Sequence, residues 1–139
     1  YKNEDACLHS YKQFGGKEVY KIKSISLDGL SKLYFKGEDK IALIKIDVDG
    51  AEPVLYSGGI ETLKKHNPII LTEFFPKGLS NYGTNPKDYY YFLCNNYYIY
   101  WMKKDGQIEQ VGKRDYEKII HYSKISDFIL LPFQINEWF

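Results

Sequence analysis

An apolar run near the middle of the chain restricts the possible folds more than any other feature. Residues 41–48 read Ile-Ala-Leu-Ile-Lys-Ile-Asp-Val, with Lys45 and Asp47 as the only charged side chains. A near-continuous, β-branched run of this length predicts a strand buried on both faces, as in a parallel sheet covered by helices. An Asp-Gly turn signal at positions 49–50 and helical spacing over residues 52–66 follow it. The chain is therefore expected to contain the strand–helix unit of an α/β sheet.

The remaining patterns extend this unit into a series of strands and helices. The predicted strands are residues 19–27, 41–48, 69–75, 97–103, 107–111 and 127–131, and the predicted helices are residues 28–33, 52–66, 87–95 and 116–121. We expect Asp28 to cap the first helix and Gly58-Gly59 to weaken or split the second. Residues 1–18, with a flexible point at 15–16, and residues 76–86 are predicted to be loops. This order predicts the second half of a doubly wound α/β sheet with an antiparallel edge.

Length and composition exclude several classes of protein. The 139 residues suit one domain, and a net charge of +1 implies no broad field for nucleic acid or anionic membranes. No apolar run reaches the ~18 residues of a membrane-spanning helix. Cys7 and Cys94 form no framework, which favours the cytoplasm, and the scattered histidines predict no metal site.

Two carboxylates are candidates for chemistry. Asp47 lies at the end of the first predicted parallel strand and Glu73 at the end of the second. Ligands of open α/β sheets bind beyond these strand ends, and adjacent strands lie about 5 Å apart. Asp47 and Glu73 are therefore expected to face one crevice, where they could bind a cation or polar hydroxyls, or act as a general base.

Three nearby residues have simpler interpretations. Asp49 belongs to the turn signal and could cap the following helix, and for both Asp49 and Glu52 capping or solvation is favoured over catalysis. Lys45 shares a strand face with Asp47 and is expected to pair with a carboxylate.

The 14 tyrosines favour a Tyr-rich core, although those of residues 82–100 also leave open a carbohydrate-binding module.

The order of several sequence blocks resembles the FkbM-type methyltransferases. The matching blocks lie at residues 27–30 (Leu-Asp-x-Leu), 45–52 (Lys-Ile-Asp-Val-x-Gly-Ala-Glu), 55–58 (Leu-x-x-Gly), 68–73 (Pro-x-Ile-x-x-Glu) and 127–131. The resemblance covers residues 19–132, and the second block together with Glu73 is its most specific part. One departure is Asp49, where the family usually has Glu.

This resemblance implies a Rossmann-like class I fold and methyl transfer from S-adenosylmethionine, usually to a hydroxyl of a sugar or another small metabolite. Asp47 would lie beside the transferring methyl group and orient or deprotonate the acceptor, in which positioning supplies most of the rate gain. Residues 76–86 and 1–18 would line the acceptor site.

The family's glycine-rich cofactor turn is not visible in the chain. The first three strands of the fold are therefore expected to be missing, with the cofactor-binding residues unknown and the chain inactive alone. A non-catalytic relic that serves in binding or assembly is the alternative. The edge of residues 41–48, from Ile41 to Val48, is then expected to be exposed and to pair with an amino-terminal segment, a partner or a second copy.

Overall fold

The computed structural model describes residues 6–12, 19–37 and 39–133 of the chain. The strands are β1 (Ala6–Lys12), β2 (Val19–Ile25), β3 (Leu43–Ile46), β4 (Ile69–Phe74), β5 (Tyr97–Met102), β6 (Ile108–Val111) and β7 (Ser126–Pro132). The helices are α1 (Leu27–Tyr34), α2 (Glu52–Ser57), α3 (Ile60–His66), α4 (Pro76–Asn81), α5 (Pro86–Asn96) and α6 (Tyr116–Tyr122), the last preceded by a 3-10 turn at Lys113–Asp115.

The main sheet has five strands in the order β3-β4-β7-β5-β6. Strands β3 and β4 are parallel and are joined through α2 and α3, whereas every other neighbouring pair is antiparallel. The last strand of the sequence, β7, therefore lies between β4 and β5. The predicted α/β class is confirmed as a mixed α/β fold with a five-stranded sheet.

Strand β3 is shorter and more exposed than predicted. It has four residues, its side chains alternate in burial, and Leu43 is 52% exposed. The prediction of burial on both faces was wrong, because β3 is at the edge of the sheet among the described residues and pairs there with β4 alone. The expected exposed edge of residues 41–48 is present over β3, but what pairs with it stays a prediction.

Two segments predicted as loops contain regular structure. Within residues 1–18, β1 pairs antiparallel with β2 along its whole length, so backbone pairing forms a strand where the side-chain pattern is polar. Residues 13–18, with the expected flexible point, lie outside the described residues. Within residues 76–86, α4 begins at Pro76, whose missing N–H costs nothing in the first turn of a helix.

The predicted split of the helix at residues 52–66 is confirmed, and Gly58 and Gly59 separate α2 from α3. A Cβ on Gly59 would lie 2.7 Å from Cδ2 of Leu27, so this glycine allows the start of α1 to pack closely. The backbone N–H of Asp28 also donates to the carbonyl of Gly58 at 2.9 Å. The two helix junctions thus form one packed corner.

The prediction that Asp28 caps α1 was wrong. Ser26 caps that helix by accepting from the backbone N–H of Gly29 at 3.0 Å. The Asp28 carboxylate instead accepts from the N–H groups of Thr62 at 2.7 Å and Glu61 at 3.3 Å, and so it caps α3. Burial raises the pKa of Asp28, but the hydrogen bonds from Thr62 and Glu61 outweigh it and hold the pKa below its usual value.

The core lies between one face of the sheet and the helices. Alternate residues of β4, β7 and β5 are buried there and pack against α5 and α6. Its largest fully buried side chains include Trp101, Tyr90, Phe74, Phe128 and Leu130. No helix in the described part of the chain is both long and apolar enough to cross a membrane.

Candidate functional site

Asp47 directly follows β3 and projects into solvent. Its carboxylate pairs with the ammonium of Lys45 at 2.9 Å, and the two side chains are 45% and 67% exposed. The hydrogen bond to Asp47, together with its charge, raises the pKa of Lys45. The expected partner of Lys45 is therefore confirmed, and the pairing limits the directions in which the Asp47 carboxylate points.

Two more carboxylates continue from Asp47 across the sheet. Ile46 is in register with Thr72 across the parallel pair, so Asp47 and Glu73 are the next residues along their strands. Glu73 is directly opposite Asp127 across the antiparallel pair of β4 and β7. Opposed residues share a sheet face with Cβ atoms about 5 Å apart. Asp47, Glu73 and Asp127 thus form an acidic row across three strands.

The acidic row is electrostatically unfavourable for Glu73. Burial raises the pKa of Glu73, and the charges of Asp47, Asp127 and Asp49 raise it further. Lys45 opposes this change only weakly. The carboxyl of Glu73 therefore holds its proton more strongly than a free glutamate does, and it can donate or accept a hydrogen bond.

A tight turn follows Asp47. Asp49 and Gly50 have φ values of 52° and 104°, and the N–H of Ala51 donates to the carbonyl of Val48 at 3.1 Å. Two consecutive residues with positive φ suit the Asp-Gly pair, which confirms the predicted turn. No side chain caps α2, so Asp49 does not have the expected capping role and is exposed.

Helix α4 packs directly on this turn. A Cβ on Gly50 would lie 2.2 Å from the carbonyl carbon of Gly78, and a Cβ on Gly78 would lie 2.6 Å from the carbonyl oxygen of Asp49. The two glycines therefore permit backbone contact between the turn and α4. The segment expected to line the acceptor site does begin beside Asp49.

Glu52 differs most from its sequence interpretation. It is wholly buried, so solvation was the wrong interpretation. Its Oε1 accepts a hydrogen bond from the backbone N–H of Gly50 at 3.2 Å. The Glu52 carboxylate therefore binds the turn from the protein interior, whereas Asp49 is on the solvent side of the turn.

Tyrosines of the 82–100 region contribute mainly to packing. Tyr89 and Tyr90 are buried, and both rings pack against Phe74 with centroids 6.5 Å and 5.7 Å away. Tyr82 and Tyr98 are exposed, at 44% and 45%. The buried rings are not accessible to a sugar, and the Tyr-rich core interpretation is the one that the packing supports.

Gly50 and Gly59 do not form a cofactor cradle. A Cβ on Gly50 would meet Gly78, and one on Gly59 would meet Leu27, so their open sides are filled by the protein itself. In the described ranges, no group of three or more His, Cys, Asp or Glu side chains is arranged to hold a metal ion.

The structure brings together Lys45, Asp47 and Glu73 as expected, while Glu52 lies behind them. Asp127 was missed as a site residue because it was treated only as the start of the last strand. A signal was available, since an antiparallel strand begins at the sheet edge where its parallel neighbours end. Placing β7 beside β4 would have put Asp127 opposite Glu73.

Comparison with known proteins gives one match. The family model for the methyltransferase FkbM domain matches residues 3–100, well over half of the chain. The matched range includes Asp47, Glu52 and Glu73 and ends within β5, so Asp127 falls outside it. No curated protein and no solved structure matches the chain.

Proposed function

The chain belongs to the methyltransferase FkbM domain family, and on that premise we propose that it forms the acceptor side of an S-adenosylmethionine-dependent O-methyltransferase. The acceptor is a sugar or another small hydroxylated metabolite. The acidic row of Asp47, Glu73 and Asp127 carries this proposal, because carboxylates bind hydroxyl groups and take up their protons. Its place beyond the ends of β3 and β4, which α2 and α3 connect, also supports a Rossmann-like arrangement.

Asp47 is the proposed acceptor-binding base. A hydroxyl oxygen that gains a methyl group loses its proton, and an exposed carboxylate at hydrogen-bonding distance can take it. Lys45 orients the Asp47 carboxylate through the 2.9 Å pair. Holding the hydroxyl oxygen in line with the methyl group contributes more to the rate than removing the proton does, because orientation converts a bimolecular step into an effectively unimolecular one.

Glu73 has a different proposed role. Glu73 binds a second acceptor hydroxyl through a hydrogen bond, and burial and the neighbouring carboxylates, which raise its pKa, make its carboxylate a stronger acceptor than a free glutamate. A diol or a sugar would satisfy Asp47 and Glu73 together. Asp127, directly opposite Glu73, extends the same surface toward β7.

S-adenosylmethionine would supply the methyl group, but Gly50 and Gly59 do not fit a binding turn for it. The space beside these two glycines is filled by packed side chains and backbone. We therefore assign the cofactor to none of these residues and no step to it.

Methyl transfer from labelled S-adenosylmethionine to a panel of sugars and hydroxylated metabolites tests the proposal. We expect Asp47→Asn to lower the rate by about 10²-fold or more, as loss of a general base does. Asp39→Asn is the matched control, because Asp39 precedes β3 and lies at the other end of that strand. Equal rates for the wild type and Asp47→Asn would contradict the proposed role of Asp47.

A non-catalytic interaction domain is the second candidate, and the edge of β3 favours it. Among the described residues β3 is at the edge of the sheet and its Leu43 is 52% exposed, and an apolar strand edge can accept another strand. Under this alternative the chain neither binds S-adenosylmethionine nor transfers methyl groups, and it self-associates through β3. Calorimetric titration with S-adenosylmethionine and a light-scattering measurement of molecular mass distinguish the two candidates. Leu43→Lys should abolish self-association at the edge of β3.

A further inference from the structure

Three buried oxygen atoms lie behind the turn that follows Asp47. They are Oε2 of Glu52 and the hydroxyl oxygens of Tyr56 and Tyr89, and none has a hydrogen-bond partner among the described residues. Their residues are 0%, 5% and 4% exposed. Buried polar groups without partners are rare in folded proteins, because each loses its bonds to water on folding.

These three groups belong to one cluster. Glu52 and Tyr56 are four residues apart on α2, so their side chains lie on the same helix face. The ring of Tyr89 packs edge-on against that of Tyr56, with centroids 6.2 Å apart. Burial raises the pKa of both tyrosines, and a neighbouring tyrosine and then the Glu52 charge raise it further, so both phenols remain protonated donors.

The hydrogen-bonding capacities of the cluster match those of one water molecule. The two phenols offer O–H donors, and Oε2 of Glu52 offers an acceptor. A water molecule can accept from both phenols and donate to the carboxylate, which gives the three bonds typical of a buried water. The described structure has no direct hydrogen bond among the three groups, and one bridging water would satisfy all of them.

We propose that one internal water bridges Glu52, Tyr56 and Tyr89, and that Glu52 thereby positions the Asp49–Gly50 turn. Oε1 of Glu52 holds the N–H of Gly50, and the water would hold Oε2. The turn is thus connected through α2 to the tyrosines of α5. The water and the position of the turn do not depend on the proposed function. This inference rests on that function only for the importance of the turn, which borders the acidic row.

The direction in which tyrosine-to-phenylalanine substitutions change stability tests for the water. If the water is present, Tyr56→Phe and Tyr89→Phe each raise the unfolding equilibrium constant about five-fold, as loss of a hydrogen bond does. The double variant then loses less than the product of the two, because both phenols share one water. Without the water, each variant removes an unsatisfied group and leaves stability unchanged or increased, which would overturn the proposal.

Tyr90→Phe is the positive control for these measurements. The Tyr90 hydroxyl donates directly to the carbonyl of Gly112 at 2.9 Å, so its loss should also cost about five-fold. Its effect should multiply with that of Tyr56→Phe, because the two hydroxyls share no partner. If the double-mutant cycle of Tyr90 and Tyr56 gave a coupling as large as that of Tyr56 and Tyr89, the coupling would reflect a general loss of core packing. That result would overturn the shared water.

Hydrogen exchange at the Gly50 amide tests the positioning role. Glu52→Gln keeps an acceptor oxygen, and Glu52→Met keeps the length and volume without one. We expect Gly50 protection to persist in the glutamine variant and to fall about ten-fold or more in the methionine variant, with the amides of β4 unchanged. Equal protection in both variants would overturn the role, and neither measurement depends on methyl transfer.

Discussion

Two corners of the molecule combine carboxylates with closely packed glycines, yet their electrostatics are opposite. The cap corner consists of Asp28, Gly58 and Gly59, and the acid corner consists of the acidic row with Gly50 and Gly78. Hydrogen bonds from backbone N–H groups lower the pKa of Asp28, whereas burial and like charges raise that of Glu73.

This difference distinguishes a structural contact from the proposed binding surface. Asp28 has its partners within the chain, since the start of α3 supplies two N–H donors. In the acid corner, Lys45 is the cation that pairs with Asp47, while Glu73 faces Asp127 across the strand pair. Carboxylates placed opposite each other destabilise a sheet, so the arrangement suits an external hydroxyl-bearing ligand.

The largest expected effect tests whether the acid corner depends on its glycine contact. Gly50→Ala places a Cβ 2.2 Å from the Gly78 carbonyl carbon at a φ of +104°, and we expect a loss of about 3 kcal/mol or more in the free energy of unfolding. Gly106→Ala, at φ +85° with nothing within 4 Å, should cost about 1 kcal/mol. Urea denaturation measures both, and equal losses would argue against the contact.

A smaller effect is expected at the cap corner. Asp28→Ala removes the cap of α3 and should cost about 1–2 kcal/mol at pH 7, with a smaller loss for Asp28→Asn, which keeps one acceptor oxygen. Because the folded-state pKa of Asp28 is lowered, its stabilisation is present above the usual value of 3.8 and disappears as the pH falls through the folded pKa. A difference between wild type and Asp28→Ala that is independent of pH would contradict this charged cap.

The smallest effect has the opposite sign. Glu73→Gln removes a repelled charge and should raise the free energy of unfolding at pH 7 by about 0.5 kcal/mol. The pKa of Glu73 is raised in the folded protein, so stability falls as the pH rises above the usual value of 4.5 and through the folded pKa. The unfolding midpoints of the wild type and of Glu73→Gln, measured between pH 4 and 7, should therefore differ most at pH 7 and become equal toward pH 4.

A surface carboxylate provides the control for that comparison. Glu61→Gln removes only an exposed pair with Lys32 at 3.7 Å, and exposed pairs contribute little. It should change stability slightly at every pH. A stabilisation by Glu61→Gln equal to that by Glu73→Gln would show a general charge effect rather than one specific to the acid corner.

The sequence predicted those parts of the fold that depend on local pattern. Strand β4, the helix split at Gly58 and Gly59 and the antiparallel edge of β5 and β6 each follow from local patterns, and the structure confirms them. Helix α4 was missed because its formation goes with a tertiary contact, the packing of Gly78 on Asp49, that no local pattern reveals.

The site was predictable to a similar extent. Strand ends identified Asp47 and Glu73 as neighbours, and a charge pattern identified the partner of Lys45. The burial of Glu52 was not predictable, because it depends on how α2 packs in the folded chain rather than on a local pattern. Asp127 required the position of β7 between β4 and β5, which is a property of the whole sheet.

The position of β7 also has a consequence for the order of folding. Strands β3 and β4 pair early in the sequence and β5 and β6 pair later, but β4 and β5 meet only through β7. A nascent chain that ends before Ser126 thus holds two separate pairs of strands with exposed edges. The addition of β7 joins the two pairs into one sheet, and the same step brings Asp127 opposite Glu73. Completion of the acidic row and cooperative folding should therefore occur together.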